Sequence, residues 1–245
     1  MTRKAHRHKG KARRGRAALE AWRACLPRQR RGRASIPFRH SRGGGKPVIK
    51  AVLFDFDGTL TVPGLIDFLA VKKAINCPDN STILEFIGNI SSERERKEAL
   101  TVLAKYEDKA AEMAAPNENA EEVVSYLKKL KLKLGILTRN SMRSVKTALR
   151  SFQRISLKDF NAVITREHAL KLKPHPEGVL EACRLFGVCP GELVMVGDYI
   201  YDIQAGQKAG AFTVFLESSH TTKRPDPPAD FTIKNLDELR GIFEA

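Results

Sequence analysis

Six short runs of apolar and β-branched residues, separated by amphipathic segments, constrain the fold of this chain more than any other feature. Such runs are typical of buried strands, and the amphipathic segments indicate helices. Strands that alternate with helices predict an α/β, Rossmann-like fold: a mostly parallel sheet covered by helices on both faces. The predicted strands are residues 48–54, 134–137, 162–164, 193–196, 213–215 and 231–233. The predicted core helices are residues 119–130, 141–152, 176–186 and 236–243.

One segment, residues 64–116, contains no strand-like run and interrupts the alternation directly after the first predicted strand. An insertion at this point of an α/β fold lies over the carboxyl ends of the strands, where ligands bind. We therefore predict a reduced helical cap at residues 63–116 and a core formed by residues 47–62 and 117–245. We predict three helices in this cap, at about residues 64–75, 82–88 and 93–114.

The charge of the chain is concentrated in its first 46 residues. The formal net charge at pH 7 is +15. Residues 1–46 hold 16 of the 43 lysines and arginines but only one of the 28 acidic residues, Glu20. The other 27 basic and 27 acidic residues balance, so the rest of the chain is neutral. Because high charge with few large apolar side chains cannot offset the entropy of ordering, we expect residues 1–46 to form a disordered basic tail.

Three interpretations of the basic tail are open. It is rich in Arg and poor in acids, which fits an organelle-targeting peptide. Its charge also fits a nonspecific contact to nucleic-acid phosphates. The third interpretation is an extension without function, such as one produced by an upstream start codon.

Other patterns bear on the location of the protein. A secretory signal is excluded because no apolar region follows the basic residues. No apolar run approaches the roughly 20 residues that span a bilayer, so we expect no membrane association. The four cysteines show no CxxC spacing, and we interpret them as buried, reduced thiols. We expect a cytoplasmic protein, or an organellar one if the basic tail is a transit peptide.

Two carboxylates follow the first predicted strand directly, in the sequence Asp55-Phe56-Asp57-Gly58-Thr59. On extended backbone Asp55 and Asp57 point the same way, and they repel each other unless a cation holds them or one is protonated. A hard divalent cation, above all Mg²⁺, is the natural partner of such a pair. Gly58 permits a turn that brings backbone N–H groups and the Thr59 hydroxyl to face an anion. Taken alone, the pattern also fits a turn that caps a helix.

Three later predicted strands end in residues that suit phosphate chemistry. Thr138 ends the second strand, and Arg139 after it supplies a cation. Lys173 lies in a proline-rich turn after the third strand, and Asp198 and Asp202 follow the fourth. Together these positions offer the nucleophile, proton donor, metal site and cationic clamp that phosphoryl transfer requires.

The order of these motifs resembles the haloacid dehalogenase (HAD) superfamily, and most closely its phosphoglycolate phosphatase and β-phosphoglucomutase-like branch. The motifs are DxDGT at Asp55, a threonine at Thr138, Lys-Pro-x-Pro at Lys173 and GDxxxD at residues 197–202. The similarity runs from residue 48 to residue 215. The basic tail has no counterpart in the family pattern.

The resemblance implies a role for each of these residues. Asp55 is expected to attack phosphorus and form an aspartyl-phosphate. Asp57 is expected to protonate the leaving oxygen and then to activate water. Lys173 is expected to stabilise the nucleophile and the charge that develops on the phosphoryl group. The expected Mg²⁺ ligands are Asp55, the backbone carbonyl of Asp57, Asp198 and, directly or through another ligand, Asp202. The expected phosphate-binding residues are Thr138, Arg139 and Gly58.

The function implied by the resemblance is Mg²⁺-dependent hydrolysis of a phosphomonoester, with a small phosphorylated metabolite as substrate and phosphoglycolate as the default. One alternative is a phosphomutase of the β-phosphoglucomutase type. An alternative of a different class is a non-enzymatic protein that associates with nucleic acid through its basic tail. We expect a monomer or a small homo-oligomer.

Two departures from the family pattern concern the substrate. Asp57 lies 81 residues before Thr138, which is short for this branch, so we expect a reduced cap that covers the site less completely. Tyr199 stands where a small Ser or Thr is common. Its side chain is expected either to narrow the metal site, to contact the substrate, or to point outward.

Overall fold

The structure is a computed structural model that describes residues 48–218 and 223–244. Within these ranges, six parallel strands form one sheet in the order β3-β2-β1-β4-β5-β6. The predicted disordered basic tail, and the three interpretations of it, lie outside the described residues. The strands are β1 (Ala51–Phe54), β2 (Lys133–Leu137), β3 (Ala162–Ile164), β4 (Leu193–Gly197), β5 (Phe212–Leu216) and β6 (Phe231–Ile233).

Eight α-helices accompany the sheet in the described part of the chain. Three of them lie in the predicted cap: α1 (Phe68–Ala74), α2 (Ile83–Asn89) and α3 (Glu93–Glu112). The remaining helices are α4 (Ala120–Lys129), α5 (Met142–Ala148), α6 (Glu177–Phe186), α7 (Ile200–Ala209) and α8 (Leu239–Glu244).

The residues of β1 are buried on both faces of the sheet, which is typical of a central parallel strand. Val52 and Phe54 pack in one apolar cluster, which also includes side chains of α4, α5 and α8. Ala51 and Leu53 pack in a second cluster, with side chains of α6 and α7. Successive side chains of β1 thus contact helices on opposite faces of the sheet. The predicted fold class, a parallel sheet covered by helices on both faces, is confirmed.

The bounds of several elements differ from the prediction. Strand β1 begins at Ala51 and not at residue 48. Lys50 is nevertheless hydrogen-bonded on both sides: its N–H donates to the Glu192 carbonyl, and its carbonyl accepts from the Lys133 N–H. Helix α1 begins at Phe68, four residues later than predicted, because the Asp67 carboxylate accepts a hydrogen bond from the Ala70 N–H and caps the helix there. Helix α5 ends at Ala148 and continues as a 3₁₀ turn. Helix α7 was not predicted.

The three helices after β1 have an apolar cluster of their own. It contains Val71 of α1, Ile83 and Ile87 of α2, and Ala99 and Leu103 of α3. Helix α3 connects this cluster to the core, since its residue Ala111 packs in the apolar cluster that contains Val52 and Phe54 of β1. An antiparallel bridge between Thr61 and Pro116 closes the base of the segment. The division into a cap at residues 63–116 and a core remains our proposal.

The interpretation of the cysteines is confirmed in part. Cys77 and Cys183 are buried free thiols, and burial raises the pKa of Cys183 to about 12, which keeps it protonated. Cys189 is half-buried, so the expectation of a buried side chain is wrong there. Cys25 lies outside the described residues.

None of the helices in the described ranges combines the length and the apolar composition that a membrane span requires.

Gly135 in β2 generates a prediction about stability. A Cβ atom at this position would lie 2.7 Å from Cζ of Phe186 and 3.1 Å from the backbone oxygen of Ala162. Because the sheet and α6 leave no room for a methyl group, Gly135→Ala should lower the free energy of unfolding by about 1–3 kcal/mol, measured by urea denaturation. The matched control is Gly88→Ala in α2, where a Cβ would have no neighbour within 4 Å and no loss is expected. Equal stability of Gly135→Ala and wild type would contradict this account of the packing.

Candidate active site

A cavity of about 440 Å³ lies between the carboxyl edge of the sheet and helices α1 to α3. The predicted site residues come from four different strand ends, and in parallel strands these ends meet at one edge. All eight of them line this cavity: Asp55, Asp57, Gly58, Thr138, Arg139, Lys173, Asp198 and Asp202. The fold therefore assembles residues that are up to 147 positions apart in the sequence.

The Lys173 ammonium lies at the centre of the hydrogen bonds of the site. Its Nζ is 2.6 Å from Oδ1 of Asp55 and 2.6 Å from Oδ1 of Asp202, and it donates to the Leu137 carbonyl at 2.9 Å. Burial by itself would lower the pKa of Lys173, but the negative charges of Asp202 and Asp55 outweigh that effect and raise it. Lys173 is therefore a fixed positive charge at neutral pH, bonded to one oxygen of the predicted nucleophile.

Asp57 lies beside Asp55 on the wall of the cavity. Burial, and then the charge of Asp55, raise the pKa of Asp57 to about 7, although Lys173 and a hydrogen bond from Asn140 act in the opposite direction. At neutral pH a large fraction of Asp57 therefore carries a proton. A carboxyl group in this state is suited to donate a proton to a leaving oxygen.

Three carboxylates gather beside Lys173. One oxygen from each of Asp55, Asp198 and Asp202 lies within 4.8 Å of the others. Burial, followed by the charge of Asp55, raises the pKa of both Asp198 and Asp202. The single ammonium of Lys173 does not neutralise three carboxylates, and a compact set of hard oxygen donors fits a divalent cation such as Mg²⁺. These residues therefore fit the predicted metal.

The turn after β1 holds Asp198 in place. Gly58 has φ +78°, and a Cβ atom there would lie 2.2 Å from Oδ2 of Asp198, so this position requires glycine both for its backbone and for its space. The Thr59 hydroxyl donates to Oδ1 of Asp198 at 3.1 Å. From the sequence we expected the Thr59 hydroxyl to face a bound anion. In the structure it faces a carboxylate of the protein itself, that of Asp198.

Thr138 and Arg139 differ in how firmly they are held. Thr138 is buried, and its Oγ1 accepts the Asn140 N–H at 3.1 Å, which leaves the hydroxyl proton available for another acceptor. Arg139 is partly exposed, and its guanidinium lies 5.6 Å from the centre of the Tyr201 ring. Both side chains are placed to contact an anion in the cavity.

Tyr199 lines the cavity and is 45% exposed, with its ring edge-on to Tyr201 at 5.0 Å between centroids. Together, Tyr199 and Tyr201 form an aromatic part of the cavity wall.

Three residues of the site were not predicted. The Asn117 amide donates to the carbonyls of Gly58 and Thr59 at 3.2 and 3.0 Å and so fixes the turn after β1. Asn140 lines the cavity with Asp57 and acts to lower the pKa of its carboxyl group. Glu107 of α3 lines the cavity and forms a partly buried ion pair with Arg166. In the sequence Glu107 is one of many charges on a charged helix, and no spacing rule distinguishes it from the exposed ones.

Comparison with known proteins places these features in a family. Residues 52–216 match the haloacid dehalogenase-like hydrolase family. An uncharacterized hydrolase of Saccharomyces cerevisiae is 34% identical over 200 residues, which cover 80% of this chain and 91% of the yeast protein. The N-acetylmuramic acid 6-phosphate phosphatase of Pseudomonas aeruginosa is 25% identical and is matched over 80% of this chain and 95% of its own length.

The fold is shared with solved structures. A predicted phosphoglycolate phosphatase from Haemophilus somnus superposes with a TM-score of 0.61 at 22% identity, over 79% of this chain and 97% of its own. The match over residues 52–216 contains the strand ends that carry Asp55, Thr138, Lys173 and Asp198. The family resemblance of the motifs is therefore confirmed, and the chain belongs to the haloacid dehalogenase-like hydrolase family.

Proposed function

We propose that this protein is a Mg²⁺-dependent phosphomonoesterase that acts on a small phosphorylated metabolite through an aspartyl-phosphate intermediate on Asp55. The observation that carries the proposal is the position of Asp55. Its carboxylate lies at the end of the central strand, bonded to Lys173, next to a carboxyl group with a raised pKa and beside two further carboxylates. The residues that we propose as nucleophile, proton donor and metal ligands all line one cavity.

In the first step, an oxygen of Asp55 attacks phosphorus, and a new bond forms between them. The bond between phosphorus and the leaving oxygen breaks, and the proton of the Asp57 carboxyl passes to that oxygen. Lys173, Thr138 and Arg139 are positioned to stabilise the negative charge on the phosphoryl oxygens.

In the second step, the Asp57 carboxylate takes a proton from a water molecule that attacks the phosphorus of the aspartyl-phosphate. The bond to Asp55 breaks, and inorganic phosphate leaves. The residues that would hold Mg²⁺ are Asp55, Asp198, Asp202 and the backbone carbonyl of Asp57, and the ion would neutralise the repulsion between these carboxylates and the phosphate dianion.

The first prediction concerns the nucleophile. Asp55→Asn should lower kcat/KM for p-nitrophenyl phosphate by at least about 10³-fold, because the amide cannot attack phosphorus. Phosphate release in the presence of Mg²⁺ is the measurement. Asp79→Asn, at an exposed position in the loop between α1 and α2, is the matched control and should retain full activity. Undiminished turnover by Asp55→Asn would remove Asp55 from the reaction.

The second prediction concerns the intermediate. Asp57→Asn should still accept a phosphoryl group from p-nitrophenyl phosphate, whose leaving group needs no acid, but should hydrolyse it slowly. We expect a burst of about one p-nitrophenol per enzyme and a phosphorylated Asp55 in the mass spectrum. A steady rate without a burst would indicate direct attack by water. A wild-type enzyme that isomerises a sugar phosphate without releasing phosphate would instead be the phosphomutase of our alternative prediction.

The third prediction concerns the metal-free protein. Burial and the charges of Asp55 and Asp202 raise the pKa of Asp198 from 3.8 to about 8. The folded state therefore binds a proton that the unfolded state releases, and stability falls as the pH rises from about 4 to about 8. In EDTA the Tm of the wild type should fall over this interval more steeply than that of Asp198→Asn.

Mg²⁺ should reverse this loss of stability in the wild type, by about 2.7 kcal/mol at 100 times its Kd. Asp198→Asn, which lacks one carboxylate, should show a much smaller response to Mg²⁺. Equal Mg²⁺ responses in the two proteins would show that Asp198 is not a ligand.

A further inference from the structure

The turn after β1 carries several of the groups on which the proposed chemistry depends. It spans residues 56–60 and contains the Asp57 carboxyl, which we propose as the proton donor, and the Asp57 carbonyl, which we propose as a Mg²⁺ ligand. The Phe56 carbonyl closes the turn by accepting from the N–H groups of Leu60 and Thr61 at 2.9 and 3.0 Å. A change in the backbone of this turn would therefore move a proton donor and a metal ligand together.

The turn also contacts Asp198, a further residue that we propose as a metal ligand. The Thr59 hydroxyl donates to Oδ1 of Asp198 at 3.1 Å. The backbone of Gly58 lies so close to the same carboxylate that a Cβ atom would be 2.2 Å from its Oδ2. Both oxygens of Asp198 thus lie against the turn, so the position of the turn helps to fix the geometry of the metal site.

Asn117 holds this turn from a distant part of the sequence. Its Nδ2 donates to the carbonyls of Gly58 and Thr59 at 3.2 and 3.0 Å. Its Oδ1 accepts the N–H of Glu118 at 2.9 Å, and its own backbone N–H donates to the Leu60 carbonyl at 2.8 Å. Because carbonyl oxygens only accept hydrogen bonds, the nitrogen of the amide must face the turn. These contacts therefore depend on the amide and not only on the size of the side chain.

Asn117 lies at the point where the chain returns from the predicted cap to the core. Pro116, the residue before it, forms the antiparallel bridge to Thr61, and the Val62 N–H donates to the Ala115 carbonyl at 3.0 Å. Asn117 itself does not belong to the lining of the cavity. It is thus placed to act on the site through the turn and not by contact with a ligand.

We infer that Asn117 is a positioning residue, which sets the geometry of the Mg²⁺ site and of the proton donor by fixing the turn after β1. Two hydrogen bonds matter here because Gly58 lies in the middle of the turn, and glycine has the least restricted backbone of all residues. The inference rests on the proposed function, since it takes Asp198 and the Asp57 carbonyl as metal ligands and the Asp57 carboxyl as the acid. Asn117 lies outside the four motifs that carry the family resemblance.

The test is Asn117→Ala, which removes both hydrogen bonds to the turn. With p-nitrophenyl phosphate at saturating Mg²⁺, kcat should fall about 10- to 100-fold, as is usual when a residue that orients a metal ligand is lost. KM should not rise, because Asn117 contacts no substrate. Asn117→Leu keeps the branched shape of the side chain without its donors and should behave in the same way, also if the alanine variant is too unstable to assay. A wild-type kcat in Asn117→Leu, or a higher KM with an unchanged kcat, would overturn the inference.

Asn119→Gly, two residues further along the chain, is the matched control. Nδ2 of Asn119 donates to Oδ1 of Asn235 at 2.9 Å, and neither residue lines the cavity. Asn119 has φ +59°, which glycine adopts without strain. This variant loses an amide hydrogen bond of the same segment but should retain the kcat and the Mg²⁺ affinity of the wild type. Equal losses of kcat in Asn119→Gly and Asn117→Ala would show that Asn117 is only structural.

Binding of Mg²⁺ separates this inference from the proposed function, because it does not require turnover. Titration calorimetry with MgCl₂ should give a Kd about tenfold or more higher for Asn117→Ala and Asn117→Leu than for the wild type and Asn119→Gly. If the wild type hydrolyses no phosphate ester but this difference in Kd is found, the proposed function fails, and the role of Asn117 at the metal site stands. The same Kd in all four proteins, or no binding of Mg²⁺ by the wild type, would overturn the inference.

Discussion

The structure depends on the buried ammonium of Lys173, which joins three strand ends. It bonds Asp55 after β1, Asp202 in the helix after β4 and the Leu137 carbonyl at the end of β2. A buried charge is stable only when it is paired and hydrogen-bonded, and all three contacts of Lys173 are of this kind. The same contacts fix one oxygen of Asp55, so the interaction that stabilises the edge of the sheet also orients the predicted nucleophile.

That edge concentrates negative charge, which has consequences for the chemistry. Asp55, Asp57, Asp198 and Asp202 all face one cavity, and Lys173 compensates only part of their repulsion. Burial and, after it, the charge of Asp55 raise the pKa values of Asp57 and Asp198. A divalent cation bound by these carboxylates would relieve their repulsion and would allow a phosphate dianion to approach Asp55.

Helix α3 connects the catalytic edge to the space where a leaving group would lie. Its first half packs with α1 and α2, its last turns pack in the core, and between them Glu107 pairs with Arg166. A second ion pair joins Asp108 to Arg143 of α5 at 3.2 Å. Through Glu107 and Asp108, helix α3 is therefore tied to the core.

The positions of the strands, the family and the eight residues that line the cavity followed from the sequence because their signals are local. These signals are apolar runs of strand length, and acids, a threonine and a lysine directly after them. The start of α1 at Phe68, the role of Asn117 and the unpaired oxygen of Glu107 did not, because each depends on contacts between segments distant in sequence. The sequence by itself determined which chemical groups reach the edge of the sheet. Only the tertiary structure decided that Glu107 is buried, lines the cavity and pairs with Arg166, since burial and pairing exist only once the chain has packed.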